Sequence, residues 1–255
     1  MARFDDKVVV VMGGATGIGA AAVRRLAQEG AHVFLGDINI TGASALAADI
    51  GAMGGIVETY EMDQSSPASV ESFMHAAKAR FGAINHAFLN GADTSHETFT
   101  RDTDAVTIDL DVWDRTLTVN LRGFLLGVRF AIPIMLESGG GSIVCTSTEF
   151  SFRSDGTTPA YGISKAGVNQ LVRHVAARYG REGIRCNGIA PGVVLTETAL
   201  RLIHDEWKET VLKTVCGPRL GVPEDIAAEA LHLLSDDAAY INGQIISVNG
   251  GTLFR

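Results

Sequence analysis

Tyr161 and Lys165 stand four positions apart in the run Tyr161-Gly162-Ile163-Ser164-Lys165. Four residues make about one helical turn, so on a helix the phenol and the ammonium share a face. A tyrosine has a pKa of about 10 and keeps its proton at neutrality, which makes it a poor base by itself. A cation held close favours the phenolate and brings that value down. The pair is therefore suited to moving a proton on or off a hydroxyl group.

The other end of the chain supplies a reason for such a pair. Lys7 to Met12 is a β-branched run that predicts a buried strand. It leads into Gly13-Gly14-Ala15-Thr16-Gly17-Ile18-Gly19 and then into the helix-forming stretch Ala20 to Glu29. Strand, glycine-rich turn and helix is the order of a dinucleotide site, where the backbone approaches the pyrophosphate and the helix N-terminus offers unpaired N–H groups. The spacing here is G-x-x-x-G-x-G rather than G-x-G-x-x-G. A second strand, Ala31 to Gly36, ends in Asp37. A carboxylate there accepts from ribose hydroxyls and repels a 2′-phosphate, and no Lys or Arg in the glycine turn or directly after Asp37 offsets that repulsion. The pattern favours NAD over NADP.

With the glycine turn, Asp37 and the Tyr161/Lys165 pair in this order, the chain resembles the short-chain dehydrogenase/reductase family along nearly its whole length. Thr118-Val119-Asn120-Leu121-Arg122-Gly123 resembles the helix segment that bears that family's catalytic asparagine, which implies that role for Asn120. Asn187 to Gly192, followed by Val194 and Thr196, resembles the loop on the nicotinamide side, and Val248-Asn249-Gly250-Gly251 the usual glycine pair near the C-terminus. The resemblance implies cofactor contacts at Gly13, Thr16, Gly17, Ile18, Gly19, Asp37, Asp63, Asn90, Tyr161, Lys165, Pro191, Gly192, Val194 and Thr196. It also implies that Lys165 lowers the Tyr161 pKa and holds the nicotinamide ribose. Three positions depart from the family pattern. Met12 stands where a threonine usually braces the turn, and Leu89 where an asparagine usually ties neighbouring strands. Thr148 occupies the place of the family's serine, thirteen residues before the tyrosine, with Ser147 directly before it. Adjacent strand side chains point to opposite faces, so one hydroxyl reaches the site. Register favours Thr148, and a bulge would bring in Ser147.

These residues need a scaffold. The chain has 255 residues, 46% of them hydrophobic, enough for one α/β domain. Alternating strand-like and helix-like segments predict a Rossmann-like, doubly wound parallel sheet with helices on both faces. The strands fall near 7–12, 31–36, 55–60, 84–89, 142–147, 184–190 and 244–248, with long helices near 111–137 and 159–182. The nucleotide half spans about 1–140 and the catalytic and substrate half about 141–255 of a single domain, 1–255. A net charge of −8 opposes nonspecific nucleic-acid binding. No apolar run is expected to span a membrane, and the N-terminus carries no signal-peptide core. Cys145, Cys186 and Cys216 form no disulfide framework or metal cluster, which together predicts a cytoplasmic protein without a metal.

The chemistry expected is reversible oxidation of a secondary alcohol to a ketone, a small-molecule substrate, with NAD as the hydride partner. Tyr161 is the general acid/base, Thr148 or Ser147 binds the substrate oxygen, and Asn120 holds a water that links Lys165 to solvent. Asp93 to Leu110, an acidic stretch, and Glu197 to Pro218, with Leu200, Leu202, Ile203 and Trp207, are the candidate pocket walls. Phe150 and Arg153 lie close by, the first favouring a ring-bearing substrate and the second admitting a carboxylate. Cis-diol dehydrogenation on a cyclic or aromatic substrate and enone or carbonyl reduction are alternatives on the same fold. A non-catalytic, redox-sensing dinucleotide scaffold is the alternative of another class. The resemblance implies a homo-oligomer, dimer or tetramer. Val168, Leu171, Val172, Val175 and Ala176 recur at helical spacing, as an interface stripe or a core face would.

Overall fold

The computed structural model describes residues 2–154, 156–202 and 205–254, without the side chains of Thr198, Arg201, Leu202, Asp205 and Trp207. Seven parallel strands form one sheet: β1 (Val8–Met12), β2 (His32–Asp37), β3 (Ile56–Glu61), β4 (His86–Leu89), β5 (Gly141–Thr146), β6 (Ile184–Pro191) and β7 (Ile245–Val248). Their order across the sheet is β3-β2-β1-β4-β5-β6-β7. The direction of winding reverses between β1 and β4, and open α/β sheets bind ligands outside the carboxyl ends of the strands at such a point.

β1 is buried on both faces, and its side chains divide by period two. Val10 and Met12 enter a core shared with α3 (Pro67–Phe81), α6 (Gly123–Glu137) and α7 (Pro159–Tyr179). Val9 and Val11 enter the other core, shared with α1 (Gly17–Gln28), α2 (Ile40–Ala52) and the helix Pro223–Leu234. The expected α7 stripe is spent inside this arrangement: Val168, Val172 and Val175 are buried and pack toward β6. Leu89 is likewise a core residue, lying over Gly127 of α6.

Two long helices differ from their sequence reading. The segment read as one helix over 111–137 is α5 (Leu110–Leu117), a π turn (Thr118–Arg122) and α6. In the turn the Gly123 N–H bonds to the Thr118 carbonyl, five residues back, and the Val119 carbonyl is taken by the Gln64 side chain at 2.9 Å. Side-chain competition for one carbonyl thus opens the helix at Asn120. The second, α7, ends at Tyr179 and continues only as a 3₁₀ turn. The stretch between β4 and α5 contains a short helix, α4 (His96–Arg101).

The expectation about membrane length is also corrected. The helical run Leu110–Glu137 is long and apolar enough to cross a membrane by length and composition. Its apolar side chains, including Phe124, Val128, Ala131 and Met135, are buried in the core, so the protein's own sheet accounts for the hydropathy.

Phe73 of α3 is fully buried and stacks on Phe34 of β2, with centroids 5.2 Å apart, beside Tyr60 of β3. Phe73→Ala should cost about 3–5 kcal/mol through lost burial and the cavity left behind. A urea midpoint within error of wild type would show that this cluster does not carry the edge of the sheet.

Candidate active site

The strand ends at the reversal point are tied by one side chain. Asn90, just after β4, donates from Nδ2 to the Gly13 carbonyl at 2.9 Å and accepts from the Thr146 hydroxyl at 2.9 Å. Its backbone N–H and that of Gly91 both donate to the Met12 carbonyl. The strand-tying task that the sequence places at position 89 is therefore performed by Asn90. The glycines allow the close approach. A Cβ on Gly13 would lie 2.3 Å from the Gly91 Cα, and one on Gly19 would lie 2.0 Å from the Gly13 carbonyl oxygen.

Around this knot lies a cleft of about 1200 Å³. One end is bordered by Gly13, Thr16, Gly17 and Ile18 at the start of α1, whose first-turn N–H groups have no intrahelical partners and no cap from Thr16. Asp37 borders the same end, braced by the N–H groups of Ala15 and Asn39, each at 2.9 Å. Asp63 follows, its carboxylate accepting from Ser65. Pro191, Gly192, Val194 and Thr196 form the opposing wall, and the Thr196 side chain reaches Gly17. Gly19 packs beneath the turn and does not border the cleft. The glycine cradle, the open helix terminus and the ribose-facing carboxylate fit a dinucleotide. Among the described residues the cations bordering the cleft are Arg101, Arg115 and Lys165, with none beside Asp37 in the sequence.

The other end holds Thr148, Tyr161 and Lys165. β5 stops at Thr146, and Thr148 is extended at the entry to a 3₁₀ turn (Glu149–Ser151). The Thr148 hydroxyl lies near the Tyr161 phenol and works against the rise that burial causes there. Ser147 borders the same end, its hydroxyl bonded to the Ser151 hydroxyl at 3.3 Å and the Lys165 carbonyl at 3.4 Å. Of the two hydroxyls, Thr148 is the one that acts on the phenol. Lys165 is buried on α7, donates from Nζ to the Thr146 carbonyl at 2.8 Å, and rests 4.4 Å from the Phe124 ring centroid.

The electrostatics correct one expectation. Burial pushes the Tyr161 phenol up, and the Thr148 hydrogen bond is what pulls it back. The expected lowering by Lys165 is not found here, because its ammonium is committed to Thr146 and is itself pushed down by burial from 10.5 to about 7. Asn120 is fully buried and does not border the cleft; its Oδ1 accepts from the Asp93 N–H at 2.7 Å.

Arg153 also departs from its sequence reading. It pairs with the buried Glu149 at 2.5 Å, lies over the Phe150 ring, and faces a separate concavity behind α7. Phe150 does border the cleft. The side chains of Leu202 and Trp207, and Ile203 altogether, lie outside the described residues, while Leu200 is exposed. Three residues at or behind the cleft were not singled out by spacing: Gln64, which joins the Gly91 and Val119 carbonyls; Phe99, whose ring lies 5.3 Å from that of Tyr161; and Asp102. Asp102 accepts from the Ala160 and Tyr161 N–H groups at 3.0 and 2.9 Å. Within the acidic stretch Asp102 is buried and Asp93 half-buried, while Glu97, Asp104 and Asp109 are exposed. A lone phenylalanine within it was the one available signal.

A family model described as Enoyl-(Acyl carrier protein) reductase matches residues 13–252. The chain is 35% identical to a 7alpha-hydroxysteroid dehydrogenase of Bacteroides fragilis, covering 98% of this chain and 96% of that one. It is 37% identical to a D-threitol dehydrogenase of Mycolicibacterium smegmatis, with 98% and 94% covered. A solved structure of a 7 alpha-hydroxysteroid dehydrogenase complexed with NADH and 7-oxo glycochenodeoxycholic acid superposes with a TM-score of 0.92 at 29% identity, covering 98% and 95%.

The depressed Lys165 generates a test. Between about 7 and 10.5 the unfolded chain binds a proton there that the folded chain releases, so folding gains stability as pH rises through that window. Wild type should gain thermal stability relative to Lys165→Met from pH 7 to 10. A difference that does not change with pH would show that Lys165 titrates normally.

Proposed function

We proceed from the finding that this chain belongs to the short-chain dehydrogenase/reductase family, and we propose that it oxidises a neutral, ring-bearing secondary alcohol with NAD⁺, or reduces the ketone with NADH. The activity class itself, an oxidoreductase acting on CH–OH groups, follows from its relatives. The observation that carries the finer reading is Thr148, Tyr161 and Lys165 together at one end of a cleft whose other end is a glycine cradle closed by Asp37.

A nicotinamide cofactor held in that cleft would supply the hydride exchange at the carbinol carbon. Gly13, Thr16, Gly17, Ile18 and Gly19 form the phosphate-facing turn, Asp37 takes the ribose hydroxyls, and Asp63 and Asn90 complete that wall. Pro191, Gly192, Val194 and Thr196 cover the nicotinamide side. Thr148 orients the alcohol oxygen, and Tyr161 takes its proton in oxidation and returns it in reduction. Lys165 sits near 7, where it can gain or release a proton under working conditions. Asn120, whose amide is spent on the Asp93 backbone, holds the start of the stretch after β4 against the π turn.

The arginines at and beside the pocket all have carboxylate partners. Arg115 pairs with Asp93 at 3.0 Å, Arg101 with Asp109, and Arg153 with Glu149. Each is already neutralised, which disfavours recognition of a carboxylate. Phe99 and Phe150 border the cleft, which favours an alicyclic skeleton over an open-chain polyol. The reading includes a cytoplasmic homo-oligomer, dimer or tetramer, with half-exposed Leu125 of α6 and Ile163 of α7 on its contact faces.

Tyr161→Phe should lower kcat by roughly 10²–10⁴-fold while NAD⁺ affinity, read by fluorescence titration, stays near wild type. Thr148→Ala should cost more in kcat than Ser147→Ala. The reverse order would move the substrate oxygen to Ser147. A panel of cyclic alcohols, bile-acid hydroxysteroids, dihydrodiols and polyols, run with NAD⁺ and NADP⁺, checks the rest. NADP⁺ preference would overturn the role of Asp37, and preference for carboxylated or open-chain substrates would overturn the pocket reading.

A further inference from the structure

Asp102 is a buried carboxylate with no cation paired to it among the described residues. It comes from the end of α4, a helix whose own residues are not buried, and it turns inward to the start of α7. There it does what α7 cannot do for itself. Thr158, the residue before the helix, sits in the left-handed region (φ 49°, ψ 51°), and its side chain makes no cap. The carboxylate of Asp102 accepts from Ala160 at 3.0 Å and from Tyr161 at 2.9 Å, and its carbonyl accepts from the Thr158 N–H at 3.1 Å. The cap is therefore supplied from 58 residues away, and one of its two bonds is to the backbone of Tyr161 itself.

Phe99 lies three residues before Asp102 on the same short helix. Its ring meets the Tyr161 ring at 5.3 Å and 60°, and it borders the cleft. The Asp102 N–H closes α4 onto the Thr98 carbonyl, so the cap and the ring contact are held at one spacing.

We infer that α4 is a positioning clamp for Tyr161: Asp102 fixes the height of the residue on α7, Phe99 fixes the tilt of its ring, and the wall that meets substrate moves with the acid/base group as one body. This inference rests on the assignment of Tyr161 proposed above. Asp102 and Phe99 are positioning residues on this account. Asp102 acts only through the Tyr161 backbone, as a carboxylate cap satisfying helix N–H groups. A displacement of the acid/base group by about 1 Å is enough to cost on the order of 10²-fold in rate.

The test compares Asp102→Ala, Asp102→Asn, Tyr161→Phe and Ser142→Ala. Ser142 donates a buried hydrogen bond to the Leu233 carbonyl at the opposite end of the sheet, so its variant controls for stability alone. Each is assayed well below its melting temperature, with the fastest alcohol of the panel and with NAD⁺ titration. Asp102→Ala should lower kcat by roughly 10–100-fold with NAD⁺ affinity unchanged. Asp102→Asn, which keeps one acceptor oxygen, should fall between it and wild type, and Ser142→Ala should lose melting temperature but not kcat. A folded Asp102→Ala with wild-type kcat overturns the clamp, as does parallel loss of kcat and NAD⁺ affinity. If Asp102→Ala does not fold, wild-type kcat in Asp102→Asn overturns it equally. Turnover retained in Tyr161→Phe overturns the underlying assignment and the clamp with it. Loss in Tyr161→Phe beside wild-type kcat in Asp102→Ala overturns the clamp alone.

Discussion

At the strand ends that border the cleft, one carboxamide ties the two halves of this protein together. Asn90 bridges the Gly13 carbonyl and the Thr146 hydroxyl, so the glycine turn after β1 and the end of β5 are held at one fixed separation. Both functional ends hang from those two residues. Gly13 begins the turn that leads into α1, and the Thr146 carbonyl receives the Lys165 ammonium. Such a network has to be complete to be stable, since a buried donor or acceptor left without a partner costs about 1–3 kcal/mol. Gln64 extends it from the end of β3 to the π turn, and the same bond that satisfies Gln64 opens the helix at Asn120.

Burial acts in opposite senses on the two titrating groups. It disfavours the charged form of each, raising the phenol of Tyr161 and depressing the ammonium of Lys165 to about 7. The fold thus sets a neutral phenol and a weakened cation side by side, with Thr148 as the group that favours the phenolate. Proton traffic at neutral pH is consistent with a lysine near 7 in a way that it would not be with one at its ordinary value.

The scaffold was legible because its signals are local. β-branched runs buried on both faces, the glycine turn and the Tyr161/Lys165 spacing each describe a stretch of a few residues, and each appears where periodicity places it. Departures occur where a distant side chain competes with the backbone. The 111–137 segment is continuous in composition, yet Gln64 breaks its ladder from another element. In the acidic stretch after β4, Asp93 pairs with Arg115 and Asp102 caps α7, each with a partner far along the chain. Arg153 reads as a free cation, but its partner Glu149 is a buried neighbour on a turn that propensity does not specify.

The sequence by itself determined the order of strands and helices, the dinucleotide turn with Asp37, and one helical face for Tyr161 and Lys165. These depend on covalent spacing and on short-range backbone preference, which any reading of the chain carries with it. Only the tertiary structure decided which of two adjacent hydroxyls meets the phenol, that Lys165 reaches Thr146, and that a carboxylate from position 102 caps the helix of Tyr161. Those outcomes follow from which groups are left without water and must find partners across the fold, and no local spacing encodes a partner dozens of residues away.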